Sequence, residues 1–431
     1  MRKLILFIAL LIPIGLMAQT FKYSGKSISY TKKADTIKVS VNDANKTVLK
    51  FAGFTAMPTA SQVLTEYTRV IDLPKPPISD VKTISYIEYA NLSNVSDKKY
   101  KVIPGIYKQG VYHENLVNVD FDLLGVYTQD LNTPGLTIAG KSINVSYRNG
   151  NFKNVNAYQI NCINSDKVVY NGSAGTYIDR LKIDGFTFDG GGRPFHSDGN
   201  VRSKGVHDGV LKGFVFSNNV VKNNLGSKFM VYLGNGFDFD IFGNTFENIN
   251  KQNNEDNGMF YLKATGKLHN NKASNYQGYL ARIWPHSIGE RRTVEVYNNI
   301  GLDGDKYGLI ELQFSPDFID RGAEPADAKV YNNTALNLNK TTDWAGELLT
   351  LYNTFGKVEY YNNLGASLVG QEGGRPTRDY KVISGNKMVF GQYDDKKTTL
   401  IVSGQNLYFD KVSDAVNDNL TSKHNGIGAV Q

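Results

Sequence analysis

Two cationic side chains on successive strand-like segments are the residues best suited to chemistry. Lys263 lies in the segment Met259–Ala264, and Arg282 lies in Gly278–Ile283. Alternate residues of both segments are apolar, so strands here would direct both cations outward from a core. Two cations on neighbouring strands lower each other's proton affinity, which allows a lysine to act as a base. The alternative is that both are ordinary solvated charges.

Aromatic and charged side chains surround this pair in the sequence. Four rings are suited to stacking on sugars: Tyr232, Tyr261, Tyr276 and Trp284. The next loop contains a histidine and two arginines that are suited to binding carboxylates of a ligand. The simpler interpretation is that the histidine is an ordinary loop residue and that the arginines lie at a solvated strand edge. The predicted catalytic residues are Lys263 as base, Arg282 as neutraliser or acid, and Tyr261 as proton donor. The predicted substrate-binding residues are Tyr232, Trp284, His286, Arg291, Arg292, Glu311 and His207.

A second group of charged residues follows the glycine-rich stretch Asp189–Gly192. Its members are Arg193, His196, Asp198, Arg202, His207 and Asp208. The group is placed to line one end of a cleft, but long loops collect such residues without any function.

An asparagine-centred motif recurs along the chain and indicates which elements position these residues. It ends at Asn219, Asn244, Asn271, Asn299, Asn333, Asn363 and Asn386, with weaker copies at Gly150–Asn151 and Gly404–Asn406. Each copy adjoins a short segment rich in Val, Ile, Phe and Tyr that alternates with period two, which excludes helical repeats. The spacing of 23 to 34 residues is too short for propeller blades. Asparagine tolerates a left-handed turn, and stacked amides can bond to one another.

The repeat predicts an all-β fold, a right-handed parallel β-helix (solenoid) with an N-terminal β cap or appendage. We expect a signal peptide at 1–18, a β segment at 19–84, the helix body at 85–410 and a C-terminal cap or tail at 411–431. Ser27–Tyr30 and Thr36–Val41 are the expected strands of the N-terminal segment. Alternation predicts as inward-facing residues Val231, Leu233, Phe260, Leu262, Ala281, Ile283, Ile310, Leu312, Leu349 and Leu351.

The N-terminus and the composition predict a secreted or periplasmic protein. A basic start, the apolar run Leu4–Leu16 and Ala18 are typical of a signal peptide, no lipid-anchor cysteine follows, and no later segment predicts a membrane span. Cys162, the single cysteine, is expected to be a buried small hydrophobe. The net charge of +7 is modest and dispersed, which favours an acidic polysaccharide partner over nucleic acid. We expect a monomer.

The order of a lysine and then an arginine on neighbouring turns resembles the polysaccharide lyases of family 6, the chondroitinase B and alginate lyase group of the pectate-lyase-like superfamily. The stretch Asn270–Gly278 before Arg282 also resembles that family, and the similarity covers residues 210–300. The resemblance implies that Lys263 is the base beside a uronate carboxylate and that Arg282 assists at the leaving oxygen. It also implies two acidic calcium ligands, but the chain has Asp256 and then Gly258. Ca²⁺ is therefore a possible cofactor only.

The sequence predicts a polysaccharide lyase that cleaves a uronic-acid polysaccharide by β-elimination. One alternative is a β-helix glycoside hydrolase with converging carboxylates, for which the candidates are Asp208, Asp238, Asp240, Glu255, Asp256 and Glu311. Another is a glycan-binding surface protein without catalysis. No nucleophile-elbow, P-loop, paired-cysteine or HExxH motif occurs, which argues against esterase, nucleotide-dependent and zinc-peptidase chemistry.

Overall fold

A computed structural model describes most of the chain from residue 80 onward and short strands before it. The described residues are 19–23, 26–33, 36–41, 46–50, 80–163, 167–169, 178–203, 206–252, 258–287, 290–314, 323–338, 346–354, 356–368, 381–382, 389–392, 394–413 and 428–429. The chain forms two compact units, Met1–Pro77 and Ile78–Gln431. The predicted signal peptide at 1–18, Asp256 and Asn386 lie outside the described residues, as does most of the predicted C-terminal tail.

The first unit contains a four-stranded antiparallel sheet. Its strands, in spatial order, are β1 (Gln19–Tyr23), β2 (Lys26–Lys33), β3 (Thr36–Val41) and β4 (Lys46–Lys50). The strands β2 and β3 contain the two segments predicted from alternation, so that prediction is confirmed.

The second unit is built mainly of parallel strands, which form one 11-stranded sheet, called sheet C here, and one 22-stranded sheet. The larger sheet consists of two runs of strands, called sheets A and B here, that are joined through the long strands β24 (Phe229–Phe242) and β26 (Gly258–His269). Each strand pairs in parallel with the strand that holds the same place one repeat later. In sheet A the strands are β8 (Val111–Glu114), β11 (Leu136–Ala139), β14 (Ile160–Ile163), β18 (Phe195–Ser197), the first parts of β24 and β26, β28 (Tyr279–Ile283), β32 (Ile310–Leu312), β36 (Leu349–Tyr352) and β40 (Val389–Gln392).

Sheets B and C complete the parallel architecture. Sheet B contains β5 (Val81–Ile84), β6 (Ser96–Val102), β9 (Val117–Asp122), β12 (Ile143–Arg148), β16 (Asp179–Asp184), β21 (Leu211–Lys212), β22 (Val215–Ser217), the second parts of β24 and β26, β30 (Thr293–Tyr297), β34 (Asp327–Tyr331), β37 (Lys357–Tyr361) and β41 (Thr399–Ser403). Sheet C contains β7 (Gly105–Tyr107), β10 (Val126–Gln129), β13 (Asn151–Lys153), β17 (Thr187–Asp189), β23 (Val220–Lys222), β25 (Thr245–Ile249), β27 (Lys272–Tyr276), β31 (Ile300–Gly304), β35 (Thr334–Leu338), β38 (Leu364–Leu368) and β42 (Leu407–Phe409).

Short antiparallel pairs and one helix accompany these sheets. The antiparallel strands are β15 (Lys167–Val169), β19 (Asn200–Ser203), β20 (Val206–Asp208), β29 (His286–Ser287), β33 (Glu324–Pro325) and β39 (Lys381–Val382). Helix α1 (Tyr86–Ala90) was not expected, although Ser85 and Glu88 form the capping box that signals a helix start. Within the described part of the chain, no helix has the length and apolarity needed to cross a membrane.

A ladder of asparagines, buried except for the last, Asn406, which is half-buried, runs between sheets B and C. Each side-chain Nδ2 donates to the Oδ1 of the next asparagine along the unit, at 2.8–3.4 Å. The ladder residues are Asn219, Asn244, Asn271, Asn299, Asn333, Asn363 and Asn406. The predicted stacking of amides is therefore confirmed, and a copy judged weak in the sequence, Asn406, supplies the rung after Asn363.

The left-handed turn belongs to a different residue of the motif. Asn270, Asn298 and Asn332 have φ between 54° and 55°, and glycine takes that place at Gly243 and Gly404. The expectation that one asparagine does both jobs is corrected, because the turn residue precedes the ladder residue. This division explains why the motif reads Asn-Asn or Gly-Asn.

The core lies inside the three sheets and extends from Ile84 to Tyr360. All ten residues predicted to face inward are fully buried, so the prediction from alternation is confirmed. Cys162 is also buried, as predicted, and burial raises the pKa of its thiol.

Candidate functional site

One outward-facing line of residues crosses sheet A at right angles to its strands. Its members lie directly opposite one another in register: His196, Tyr232, Tyr261, Arg282, Glu311 and Thr350. We call this line the sheet A row. Each member stands between two core residues of its own strand, so strand alternation alone turns it outward.

The first half of the row is a stack of aromatic rings. The Tyr158 and His196 ring centroids are 4.0 Å apart, His196 and Tyr232 are 5.0 Å apart, and Tyr232 and Tyr261 are 5.4 Å apart, all nearly parallel. Trp284 meets Tyr261 edge-on at 5.4 Å. The rings therefore form a continuous aromatic stack over the strands β18, β24 and β26, which extends to Tyr158 before β14 and to Trp284 after β28.

Lys263 sits against this aromatic stack. Its ammonium nitrogen is 5.3 Å from the Trp284 ring centroid, 5.8 Å from that of Tyr261 and 5.9 Å from that of Tyr232. Such cation–π contacts contribute about 0.5–2 kcal/mol each, more when they are desolvated. The lysine side chain is half-buried, so it is held beside the row and still reaches solvent.

Arg282 and Glu311 form a buried ion pair in the second half of the row. The Arg282 Nε donates to Glu311 Oε1 at 2.8 Å, and the two side chains are only 12% and 4% exposed. The expected order of Lys263, Arg282 and Glu311 on one outer face holds. However, the residue opposite Arg282 on β26 is Tyr261, and Lys263 lies two positions further along that strand.

Several tyrosines of this region have raised pKa values, among them Tyr261 and Tyr279. Burial raises the pKa of Tyr261, although the nearby Arg282 charge opposes the shift. Burial also raises the pKa of Tyr279, whose hydroxyl lies 3.1 Å from the Thr350 hydroxyl. Both phenols therefore keep their protons at neutral pH, which a proton donor requires.

The glycine-rich region supplies three residues that the sequence analysis did not choose as site residues. The half-buried Arg193 lies over the Tyr232 ring at 5.2 Å and bonds to His196 Nδ1. The other ring nitrogen of His196, Nε2, is 2.9 Å from Asp198 Oδ1. The sequence signal was the strand Phe195–Ser197, whose alternation turns His196 to the same face as Tyr232.

Three of the predicted substrate-binding residues have other partners. His286 is fully buried and its Nε2 lies 2.9 Å from Asn235 Oδ1, so it does not face a ligand. Arg291 forms a two-point ion pair with Asp327 on the following sheet B strand. Arg292 pairs with two carboxylates, those of Asp238 and Glu290. The expectation for His286 is corrected, because its ring is buried against Asn235. The substrate-binding role of Arg291 and Arg292 stays a prediction, since an ion-paired arginine keeps further N–H donors.

The structure also changes the expected roles of Tyr276 and Glu311. Tyr276 is fully buried in the core and cannot stack on a sugar, because β27 turns this ring inward. Glu311 is buried and bonded to Arg282, so it does not reach a substrate directly. His207 lies on β20, but its side chain is outside the described part of the structure, and so is Asp256. Among the described residues, no group of three His, Cys, Asp or Glu side chains could hold a metal ion.

The arrangement combines a held lysine, a protonated phenol and a paired arginine on neighbouring strands. An amine and a phenol in one patch can remove and return protons, and the cations favour negative charge that develops between them. The stacked rings beside them cover one another's faces, so they offer mainly their edges to the apolar faces of sugars.

Comparison with known proteins gives little further information. No family model matches the chain, and no curated protein matches it. Among solved structures, the catalytic unit of a thermostable GH87 alpha-1,3-glucanase from Streptomyces thermodiastaticus strain HF3-3 aligns with 93% of this chain and 86% of its own. The sequence identity is 11% and the TM-score is 0.31, so this likeness carries no argument.

Proposed function

We propose that residues 78–431 form a right-handed parallel β-helix and that the sheet A row cleaves a uronic-acid polysaccharide by β-elimination. The parallel pairing of every repeat in three sheets supports the fold. The observation that carries the function is the grouping of an amine, a phenol and a guanidinium group on one face of the sheet. The Lys263 ammonium nitrogen lies 5.8 Å from the Tyr261 ring centroid, and Tyr261 stands opposite Arg282 on the next strand. An acidic, extended substrate suits this cationic and aromatic surface.

In the proposed reaction Lys263 takes the proton from the carbon next to the uronate carboxylate. The electrons of that C–H bond move toward the carboxylate, where the positive charge of Arg282 favours the enolate. The enolate then forms a carbon–carbon double bond and expels the glycosidic oxygen from the adjacent carbon. Tyr261 gives its proton to that oxygen, and Glu311 holds Arg282 in place.

A hydrolase receives less support from the described carboxylates. Hydrolysis of a glycosidic bond uses two carboxyl groups on either side of the bond. Glu311 is bonded to Arg282, Glu347 is fully buried, and Asp240 lies on sheet B with His269 at 2.9 Å. Glu347 does reach the row, because it accepts a hydrogen bond from the Thr350 hydroxyl, but Glu347 and Glu311 are both buried and neither is open to a glycosidic bond.

The test is an ultraviolet assay of purified protein against polygalacturonate, alginate and hyaluronan. The wild type is expected to produce the absorbance of an unsaturated uronate on one of them. The Lys263→Ala variant should lose at least about a hundredfold in rate, because it lacks the base. Lys267→Ala is the matched control, since Lys267 is an exposed lysine of the same strand in sheet B.

Other outcomes of this assay point elsewhere. New reducing ends without the absorbance would mean a hydrolase, and binding without cleavage would mean a glycan-binding protein. Full activity of Lys263→Ala would rule out this lysine as the base. Loss of activity with a chelator would indicate that the reaction requires a calcium ion.

A further inference from the structure

The second cationic group beside the aromatic stack has no role in the proposed reaction. The guanidinium carbon of Arg193 lies 5.2 Å from the Tyr232 ring centroid, 5.4 Å from that of Tyr158 and 5.8 Å from that of Phe229. Its Nε donates to the Phe229 carbonyl oxygen at 3.0 Å. Burial lowers the pKa of this arginine, which shows that part of its hydration has been removed.

His196 holds this guanidinium in a fixed orientation. Arginine can only donate hydrogen bonds, so the Arg193 Nη1 donates to His196 Nδ1. The proton of the neutral ring is then on Nε2, which donates to Asp198 Oδ1 at 2.9 Å. Burial lowers the His196 pKa, in keeping with a neutral ring. The Arg193 bonds to the Phe229 carbonyl oxygen and to His196 use two of the five N–H donors of the guanidinium group.

The surroundings of Arg193 suit a sugar that carries an anion. The Tyr158 ring is 38% exposed beside the guanidinium group and offers a stacking surface. Asp198 is exposed and can accept hydrogen bonds from sugar hydroxyl groups. A binding surface for a simple inorganic anion would need neither the aromatic ring nor the carboxylate.

The distance between the two cationic positions sets the spacing of the anions. Arg193 and Lys263 both lie against the Tyr232 ring, with the Arg193 guanidinium carbon 5.2 Å and the Lys263 Nζ 5.9 Å from its centroid. The two charged groups are therefore no more than about 11 Å apart. Two linked sugars in an extended chain have about this length, so the two cations face anionic groups on alternate sugars.

We propose that Arg193, oriented by His196, binds a second anionic group of the polysaccharide, one disaccharide away from the group beside Lys263. This inference rests on the proposed function, because it takes the same polysaccharide along the same row. It makes the substrate class more specific, since the substrate must carry a carboxylate or sulfate at least on every second sugar. Arg193 is a binding residue here, and His196 is a positioning residue.

The test is calorimetric binding of hexasaccharides from polygalacturonate, alginate and hyaluronan, each beside its carboxyl-reduced neutral form. All proteins carry Tyr261→Phe, which removes the proposed proton donor and preserves the fragments. Arg193→Gln should weaken binding of the charged fragment on the order of tenfold and leave the neutral one unchanged. Arg193→Lys should lose less, because it keeps the charge without the fixed orientation. Arg180→Gln is the control, since Arg180 is half-exposed and pairs only with its neighbour Asp179 in the described contacts.

The possible results separate this inference from the proposed function. Binding that depends on Arg193 without any cleavage by the wild type would refute the lyase and keep the second anion position. Cleavage together with unchanged binding by Arg193→Gln would refute the second position alone. Equal weakening for charged and neutral fragments, or no binding of any fragment, would also overturn it.

Discussion

Arg282 has a counter-ion within the protein, the carboxylate of Glu311. Glu311 is 4% exposed and bonds to the Arg282 Nε, so the pair is largely shielded from water. A buried ion pair does not by itself stabilise a fold, but removal of one partner leaves an uncompensated charge. Glu311 therefore fixes the position of the arginine and partly neutralises it, and its loss should affect both stability and substrate binding.

We predict that Glu311→Ala lowers the free energy of unfolding by about 3–5 kcal/mol. The double variant Arg282→Met/Glu311→Leu should be more stable than this single variant, because it leaves no buried charge. Urea unfolding measures both. The comparison variant is Asp120→Ala, which removes the partner of the half-exposed Arg148 and should lose about 1 kcal/mol or less. A Glu311→Ala protein as stable as the wild type would contradict the burial of this pair.

Sequence alternation predicted which side chains face outward, but not what they contact. The period of two places Tyr261 and Arg282 on one face whatever the loop lengths are. The partners are different, because Glu311 is 29 residues from Arg282 and Asn235 is 51 residues from His286. Contacts at such separations depend on register, which the irregular spacing of the repeats conceals.

At the scale of the element, two neighbouring residues of the turn have separate roles, one in the left-handed backbone conformation and one in the amide ladder. Asn270 takes the left-handed conformation at the surface with φ 55°. Asn271 is 1% exposed, donates to Asn299 and to two carbonyl oxygens, and accepts from Asn244. The recurrence of asparagine could be read from the sequence, whereas this division needed the backbone angles.

Substitution of the two neighbouring asparagines should therefore have different effects on stability. Asn271→Ala should cost at least about 3 kcal/mol, because several buried carbonyl and amide groups lose their partners. Asn270→Gly should be nearly neutral, since glycine adopts this conformation freely. Thermal unfolding followed by circular dichroism compares them. Asn270→Val, at about 1–2 kcal/mol, tests the left-handed turn separately; equal effects of Asn270→Gly and Asn271→Ala would contradict this division.

At the scale of the whole molecule, one buried histidine links stability to pH. His113 is fully buried, with Nδ1 2.8 Å from the Tyr147 hydroxyl and Nε2 2.7 Å from the Tyr89 carbonyl oxygen. Burial lowers the pKa of His113 from 6.5 to about 4. Below pH 6.5 the unfolded chain takes up a proton that the folded chain does not, so stability is lost as pH falls toward 4.

We expect this histidine to remove about 3 kcal/mol of stability between pH 6.5 and pH 4. His113→Gln should show a flatter decline of the melting temperature over that range, because glutamine does not titrate. Tyr147→Phe is the control, since it removes the hydroxyl partner of His113 and should lower stability without flattening the decline. Parallel declines in wild type and His113→Gln would show that other groups cause the acid sensitivity.

The ladder of amides also separates the parts of the chain that can change length from those that cannot. Neighbouring rungs are joined by 25 residues between Asn219 and Asn244 and by 43 between Asn363 and Asn406, yet their amides meet at nearly the same distance. Insertions and deletions are thus absorbed in the connections and do not shift the strands. Longer or shorter connections beside the sheet A row can therefore change the shape of the surface around it, while the strands that carry Lys263 and adjoin Arg193 stay in register.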